Sequence, residues 1–213
     1  MHYLAALLLL LATGRAEIID RIAVSVGKSV IAASDIDRQI RVSAFLDGLK
    51  PDLTAANRKA VADRMVEQKL IRRELETNRF PVPSASEVEP IFEKFKSEHY
   101  PNPGDMARSL AEYGITEQDL VDELLWQRTL LQFIEIRFRP GIQITNEEIQ
   151  TYFDRVVSPA ARAAHPGQPV GLEDFRSQIE TTLTGQRVDQ EMDTWLKEAR
   201  RHTDIAYHEE VFR

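Results

Sequence analysis

The sequence predicts a mostly α fold: a multi-helix domain with a small β-sheet joining an N-terminal hairpin to a C-terminal strand. Three observations carry that prediction. Apolar residues recur at spacings of three and four over most of the chain, as in amphipathic helices. Near the start, the alternating run from Ile22 to Val26 and the β-rich run from Ser29 to Ala32 flank Gly27-Lys28, a two-residue type II′ turn signal. An isolated hairpin is marginal in water. The alternation of Ile205 and Tyr207 near the other end of the chain offers it a third strand.

The elements follow in chain order. Ser34, with Asp37 three residues on, reads as a helix cap with an acidic partner, and Asp35 suits the positive end of the helix dipole. That helix is expected from Asp35 to Asp47, with Gly48 as its left-handed stop. Thr54 caps a second helix whose apolar stripe is Val61, Met65, Val66, Leu70, Ile71 and Leu75. Phe80-Pro81-Val82-Pro83 is a rigid extended link. Ser86 with Glu89 restarts the helix, with Pro90 held to its first turn and Ile91, Phe92 and Phe95 on one side.

Tyr100 to Gly104 is a turn cluster, followed by a short helix from Asp105 to Tyr113 and a stop at Gly114. Thr116 and Asp119 open a long helix containing Leu120, Leu124, Leu125, Leu131, Ile134 and Phe138. Thr145-Asn146-Glu147-Glu148 is a capping box for a short helix through Phe153. Residues 156–171, rich in Pro, Ala and Gly without periodicity, read as a linker. A last helix carries Leu172, Phe175, Ile179 and Leu183, then Val188, Met192, Trp195 and Leu196, with Gly185 between the two sets. Asp204 to His208 is the closing strand.

Composition sets the address and narrows the function. The chain has 213 residues, a net charge of −7 and no cysteine. A net negative chain without a Lys/Arg cluster lacks the basic footprint of a nucleic-acid binder. The apolar run from Tyr3 to Ala12 is far shorter than the roughly 20 residues of a spanning helix and fits the core of a signal peptide. Gly14 and Ala16 are the small residues a cleavage site uses, so residues 1–16 read as a signal peptide cut before Glu17. The expected location is the periplasm.

The residues that could carry chemistry have ordinary readings beside the functional ones. His202, His208 and Glu209 lack the ligand spacing of a zinc site and read as surface polar residues. Glu147 and Glu148 could form an acid/base pair, but the capping box accounts for both. No Gly-rich phosphate loop is present, so no cofactor is expected. Apolar residues remain: Phe45, Leu46 and Leu49, and Phe92, Phe95, Tyr100 and Met106. They form either a buried core or an exposed groove for other chains.

Asp20-Arg21-Ile22, Gly27-Lys28, Val30-Ile31 and Ser34-Asp35-Ile36-Asp37 together resemble the opening of SurA-type periplasmic chaperones. The segment Ile144-Thr145-Asn146-Glu147-Glu148-Ile149-Gln150-Thr151-Tyr152-Phe153 is similar to the one that precedes the parvulin isomerase domain in that family. The stretch from Gln186 to Tyr207, with Trp195-Leu196, is similar to the family's return after that domain. Residues 17–155 would then be a helical chaperone region and residues 172–213 the helix and strand that complete it. Only the linker 156–171 stands where the parvulin domain would sit.

The resemblance implies an ATP-independent holding chaperone for unfolded envelope and outer-membrane proteins, not an enzyme, with the seven apolar residues as client-binding candidates. The alternatives are a peptidyl-prolyl isomerase and a non-catalytic scaffold for one folded partner.

Overall fold

The computed structural model describes residues 20–102 and 104–213. The signal-peptide reading of residues 1–16 lies outside the described residues. The fold is mostly α with one small antiparallel sheet, as the sequence predicts. Strands β1 (Ile22–Val26) and β2 (Ser29–Ala32) form the hairpin. At its turn Gly27 sits at φ +56, which any side chain would resist, while Lys28 lies outside the positive-φ region.

Strand β3 (Ile205–Tyr207) pairs antiparallel with β1, placing Val24 opposite Tyr207 and Val26 opposite Ile205. The order is therefore β2-β1-β3, with β1 in the centre, so the first and last strands of the described residues share one sheet. The pairing continues past the strand: the Gly27 N–H donates to the Asp204 carbonyl at 2.8 Å and the His208 N–H to the Ala23 carbonyl at 2.9 Å. A register shift between Ile22 and Val24 leaves Ala23 and Val24 both fully buried, where a regular strand would turn one of them outward.

Eight α-helices follow among the described residues: α1 (Ala33–Leu46), α2 (Ala55–Thr77), α3 (Ala85–His99), α4 (Asp105–Tyr113), α5 (Glu117–Arg137), α6 (Asn146–Tyr152), α7 (Ser158–Ala164) and α8 (Leu172–Arg201). Caps at Thr54, Thr116 and Thr145 stand where the sequence puts them, each hydroxyl accepting from a backbone N–H one turn on. Two starts differ. Helix α1 begins at Ala33, and Asp35 accepts the Ala32 N–H at 3.1 Å. Ser34 does not cap, because its hydroxyl and N–H are both taken by the Asp20 carboxylate.

Helix α3 begins after Ser84, whose N–H donates to Glu87 at 3.0 Å, two residues before the expected start. Pro90 consequently lies inside the helix rather than in its first turn, and forgoes the bond its N–H would have made to Ser86. The expected linker is helical in its first part: Phe153–Val157 forms a π-helical turn that runs into α7. Helix α8 is continuous through Gly185.

Four apolar clusters hold the molecule together. Under the sheet lie Val24, Ile31, Ile36, Ile40, Val66 and Phe212, supplied by the hairpin, α1, α2 and the C-terminal turn. Ile71, Leu75, Trp126, Phe133 and Val188 join α2, α5 and α8. Ile149, Phe153 and Ile179 anchor α6 to α8. The fourth cluster, between α1, α3, α4 and the start of α5, contains most of the candidate residues.

Candidate functional site

The seven apolar candidates come together in space, but largely as a core. Phe45, Phe92 and Met106 are buried with Val42, Leu110, Ile115 and Leu120, while Leu46, Phe95 and Tyr100 pack against them half-buried. Phe45 sits at the centre of the aromatic set: its ring stacks on Tyr100 with centroids 6.0 Å apart and meets Tyr113 edge-on at 5.3 Å. Each such pair adds about 0.5–1.5 kcal/mol beyond area burial. Leu49 alone among the seven is open, at 61% exposure. In this conformation the expected groove at these residues is filled by α3 and α4, whose apolar side chains meet α1 and α5 directly.

An open trough does exist elsewhere, between α2 and α5. Two adjoining cavities of about 440 Å³ and about 510 Å³ share Arg72, Asp122 and Trp126. On α2 its wall is Met65, Gln68, Lys69, Arg72 and Glu76; on α5 it is Asp119, Asp122, Glu123 and Trp126. Both sets follow the three-and-four spacing of a single helical face. At 1.5 Å of rise per residue, the span from Met65 to Glu76 is about 16 Å. Exposed Val82 adds apolar surface at one end, while buried Val42 and Leu75 line it from the adjoining clusters.

The α5 wall is acidic, with Arg38 beside Asp119, while the α2 wall is mixed, with Lys69 and Arg72 next to Glu76. Asp122 accepts from Gln118 at 2.8 Å, and Glu123 accepts from Gln39 and Gln127 at 2.9 and 3.0 Å. Asp119 is held by its Thr116 cap and lies 3.8 Å from Arg38. Among the described residues no carboxylate comes within 4.0 Å of Lys69 or Arg72. The Arg72 guanidinium instead lies over the Trp126 ring, 4.4 Å from its centroid. Burial pulls Arg72 below the ordinary arginine range, and attraction from Asp122, Glu76 and Glu123 opposes that pull.

Two residues that the sequence reading missed, Trp126 and Thr129, line the trough. Trp126, Thr129, Leu130 and Phe133 form an i, i+3, i+4, i+7 stripe that turns α5 toward α2 and α8, and this stripe is visible in the sequence. The confrontation of Lys69 and Arg72 with Asp119, Asp122 and Glu123 is not visible there, because the two walls lie about fifty positions apart.

The remaining candidates do not converge on chemistry. Glu148 is engaged by its own capping box and by Arg187 at 2.6 Å, and the Thr145 backbone and hydroxyl donors hold its carboxyl below the ordinary glutamate range. His202 faces Glu198 at 3.8 Å and His208 faces Glu210 at 3.8 Å, on separate carboxylates. Among the described residues no group of three His, Cys, Asp or Glu side chains could hold a metal ion, and no helix is long and apolar enough to cross a membrane.

Compared with known proteins, the chain matches no family model and no curated protein.

Proposed function

We propose that this chain is an ATP-independent chaperone of the cell envelope that holds unfolded polypeptides, working in the periplasm after removal of residues 1–16. The observation that carries the reading is the open trough between α2 and α5. It is about 16 Å long, room for roughly five residues of extended chain at 3.3 Å each, and too open for a small substrate to be enclosed. Half-buried Met65 and exposed Val82 offer it adaptable apolar surface that suits varied side chains. The SurA-like order of hairpin, helices, Thr145 segment and closing strand agrees with this reading. The stretch from 156 to 171 is too short to hold a parvulin domain beside α7.

Two assays on the purified chain test the proposal. It is expected to suppress aggregation of a denaturant-unfolded outer-membrane β-barrel protein at near-equal molar ratio without nucleotide. It is expected to leave the rate of a proline-limited refolding reaction unchanged, a reaction that takes tens of seconds uncatalysed. Acceleration of that refolding would make the protein an isomerase. Failure to hold any unfolded client would favour a scaffold for one folded partner.

A further inference from the structure

We propose that the outer edge of β3 receives an extended segment of an unfolded polypeptide as a fourth antiparallel strand. This rests on the chaperone reading and adds a second contact surface to the trough. The β1–β3 ladder fixes which main-chain groups are free. The Gly27 N–H donates to Asp204 and the His208 N–H to Ala23, so Asp204, Ala206 and His208 are the residues that bond to β1. In an antiparallel pair the residues between them turn their N–H and C=O groups the other way. Those residues are Ile205 and Tyr207, and among the described residues no group bonds to the main chain of either from that side.

The edge therefore carries N–H and C=O groups together at two positions, spaced by two residues or about 6.6 Å. Another extended chain bears the same mixed pattern along its own edge and is the natural complement. Edge strands are commonly blunted by Lys, by Pro or by a bulge. Ile205-Ala206-Tyr207 has none of these, and the irregularity of this sheet lies between β1 and β2. The opposite edge is a poorer template. Strand β2 turns only Val30 outward, because Ser29 and Ile31 face β1 and the Ala32 N–H is taken by Asp35 at 3.1 Å.

Side chains add a pattern to the pairing. Ile205 and Tyr207 stand opposite Val26 and Val24 and are half-buried against the apolar cluster under the sheet. An antiparallel strand beside them places every second side chain on that face, where it covers what they leave open. The alternate side chains lie with exposed Ala206 and are free to be polar.

The length of the edge selects an unfolded chain over a second copy. Strand β3 has three residues, about 10 Å. A second copy brings only the same short strand, flanked by the end of α8 and the C-terminal turn Glu209–Phe212. Such a contact falls far short of the roughly 1,200 Å² of a stable interface. An unfolded chain has no folded flanks and continues past the edge in both directions, and a few main-chain bonds hold it reversibly.

Amide exchange followed by NMR on the purified chain reads the edge directly. The probe is a ten-residue peptide of alternating apolar and polar residues, with one form N-methylated at the apolar positions and another at the polar positions. At saturating peptide the Ile205 and Tyr207 amides are expected to exchange at least tenfold more slowly, while Ala206, already paired with Ser25, changes less than threefold. In antiparallel pairing the residues opposite Ile205 and Tyr207 share their face, so the apolar positions supply the bonding amides. N-methylation there is expected to weaken binding at least tenfold, and at the polar positions less than threefold. Ile205→Pro removes an outward N–H and no bond to β1, and is expected to weaken binding at least fivefold at an unchanged melting temperature.

If the peptide leaves the Ile205 and Tyr207 amides unprotected, or if N-methylation at the two sets of positions costs the same, the strand addition is overturned while aggregation suppression can stand. If those amides are already protected in the free chain and it sediments as a dimer, a second copy holds the edge and the proposal is likewise overturned. If neither the peptide nor any unfolded protein binds, the strand addition and the chaperone reading fall together.

Discussion

Arg79 is the one non-glycine among the described residues with a left-handed backbone, at φ +53. It follows the end of α2, where the Phe80 N–H returns to the Leu75 carbonyl at 3.0 Å and both side chains enter the same apolar cluster. This is a Schellman closure with arginine in the place glycine usually fills. A left-handed L-residue costs roughly 1–2 kcal/mol, part of which a glycine gives back through its freer unfolded chain. Arg79→Gly is therefore expected to raise stability by about 0.5–1 kcal/mol in chemical denaturation; an unchanged or lower midpoint would count against it. The candidate residues divide at the same scale. Phe45→Ser removes the hub of an aromatic cluster and should cost roughly 3–5 kcal/mol, whereas Leu49→Ser at an exposed site should stay within about 0.5 kcal/mol. Equal losses in thermal melts would mean that Leu49 is packed.

At the scale of elements, α6 and α8 meet through Ile149, Phe153 and Ile179 and are tied by the Glu148–Arg187 pair. Glu148 is depressed in the folded state, so its contribution is complete above the ordinary glutamate value of about 4.3 and is lost as pH falls through the lower folded value. Glu148→Gln keeps an acceptor for the cap and removes the titration. Between about pH 5 and pH 3 the parent should lose melting temperature more steeply than this variant; parallel curves would show that the pair is inert. Element starts were legible in the sequence where a cap is strictly local, as at Thr54, Thr116 and Thr145. They were misplaced where the decision is not. Ser34 is claimed by Asp20, fourteen residues upstream, and the two overlapping serine–glutamate pairs at Ser84/Glu87 and Ser86/Glu89 look alike until packing selects the first. Helix α7 escaped notice because its buried residue is Ser158, and a segment with so little apolar burial carries no period to read.

At the scale of the whole molecule, long helices work as shared walls. Helix α5 gives Leu120 to the cluster with α1, α3 and α4, then turns Trp126 and Phe133 toward α2 and α8, so no single apolar stripe describes it. That division leaves α2 and α5 joined toward their C-terminal ends, where Glu74 and Arg137 lie 3.4 Å apart, and separated along the trough. The C-terminal turn closes the sheet end: Val211 and Phe212 are buried beneath the sheet that β3 completes. Sheet closure was legible because alternation at Ile205 and Tyr207 is a local signal. The trough was not, since it exists only once two helices distant in sequence face each other. The measurement that tests the chaperone reading most directly is fluorescence anisotropy with one labelled protein in two states, native and permanently unfolded by reduction and alkylation. The expected result is saturable binding to the unfolded form, competed by a second, unrelated unfolded protein, and none to the native form. Binding to neither form, or to the native form alone, would contradict it.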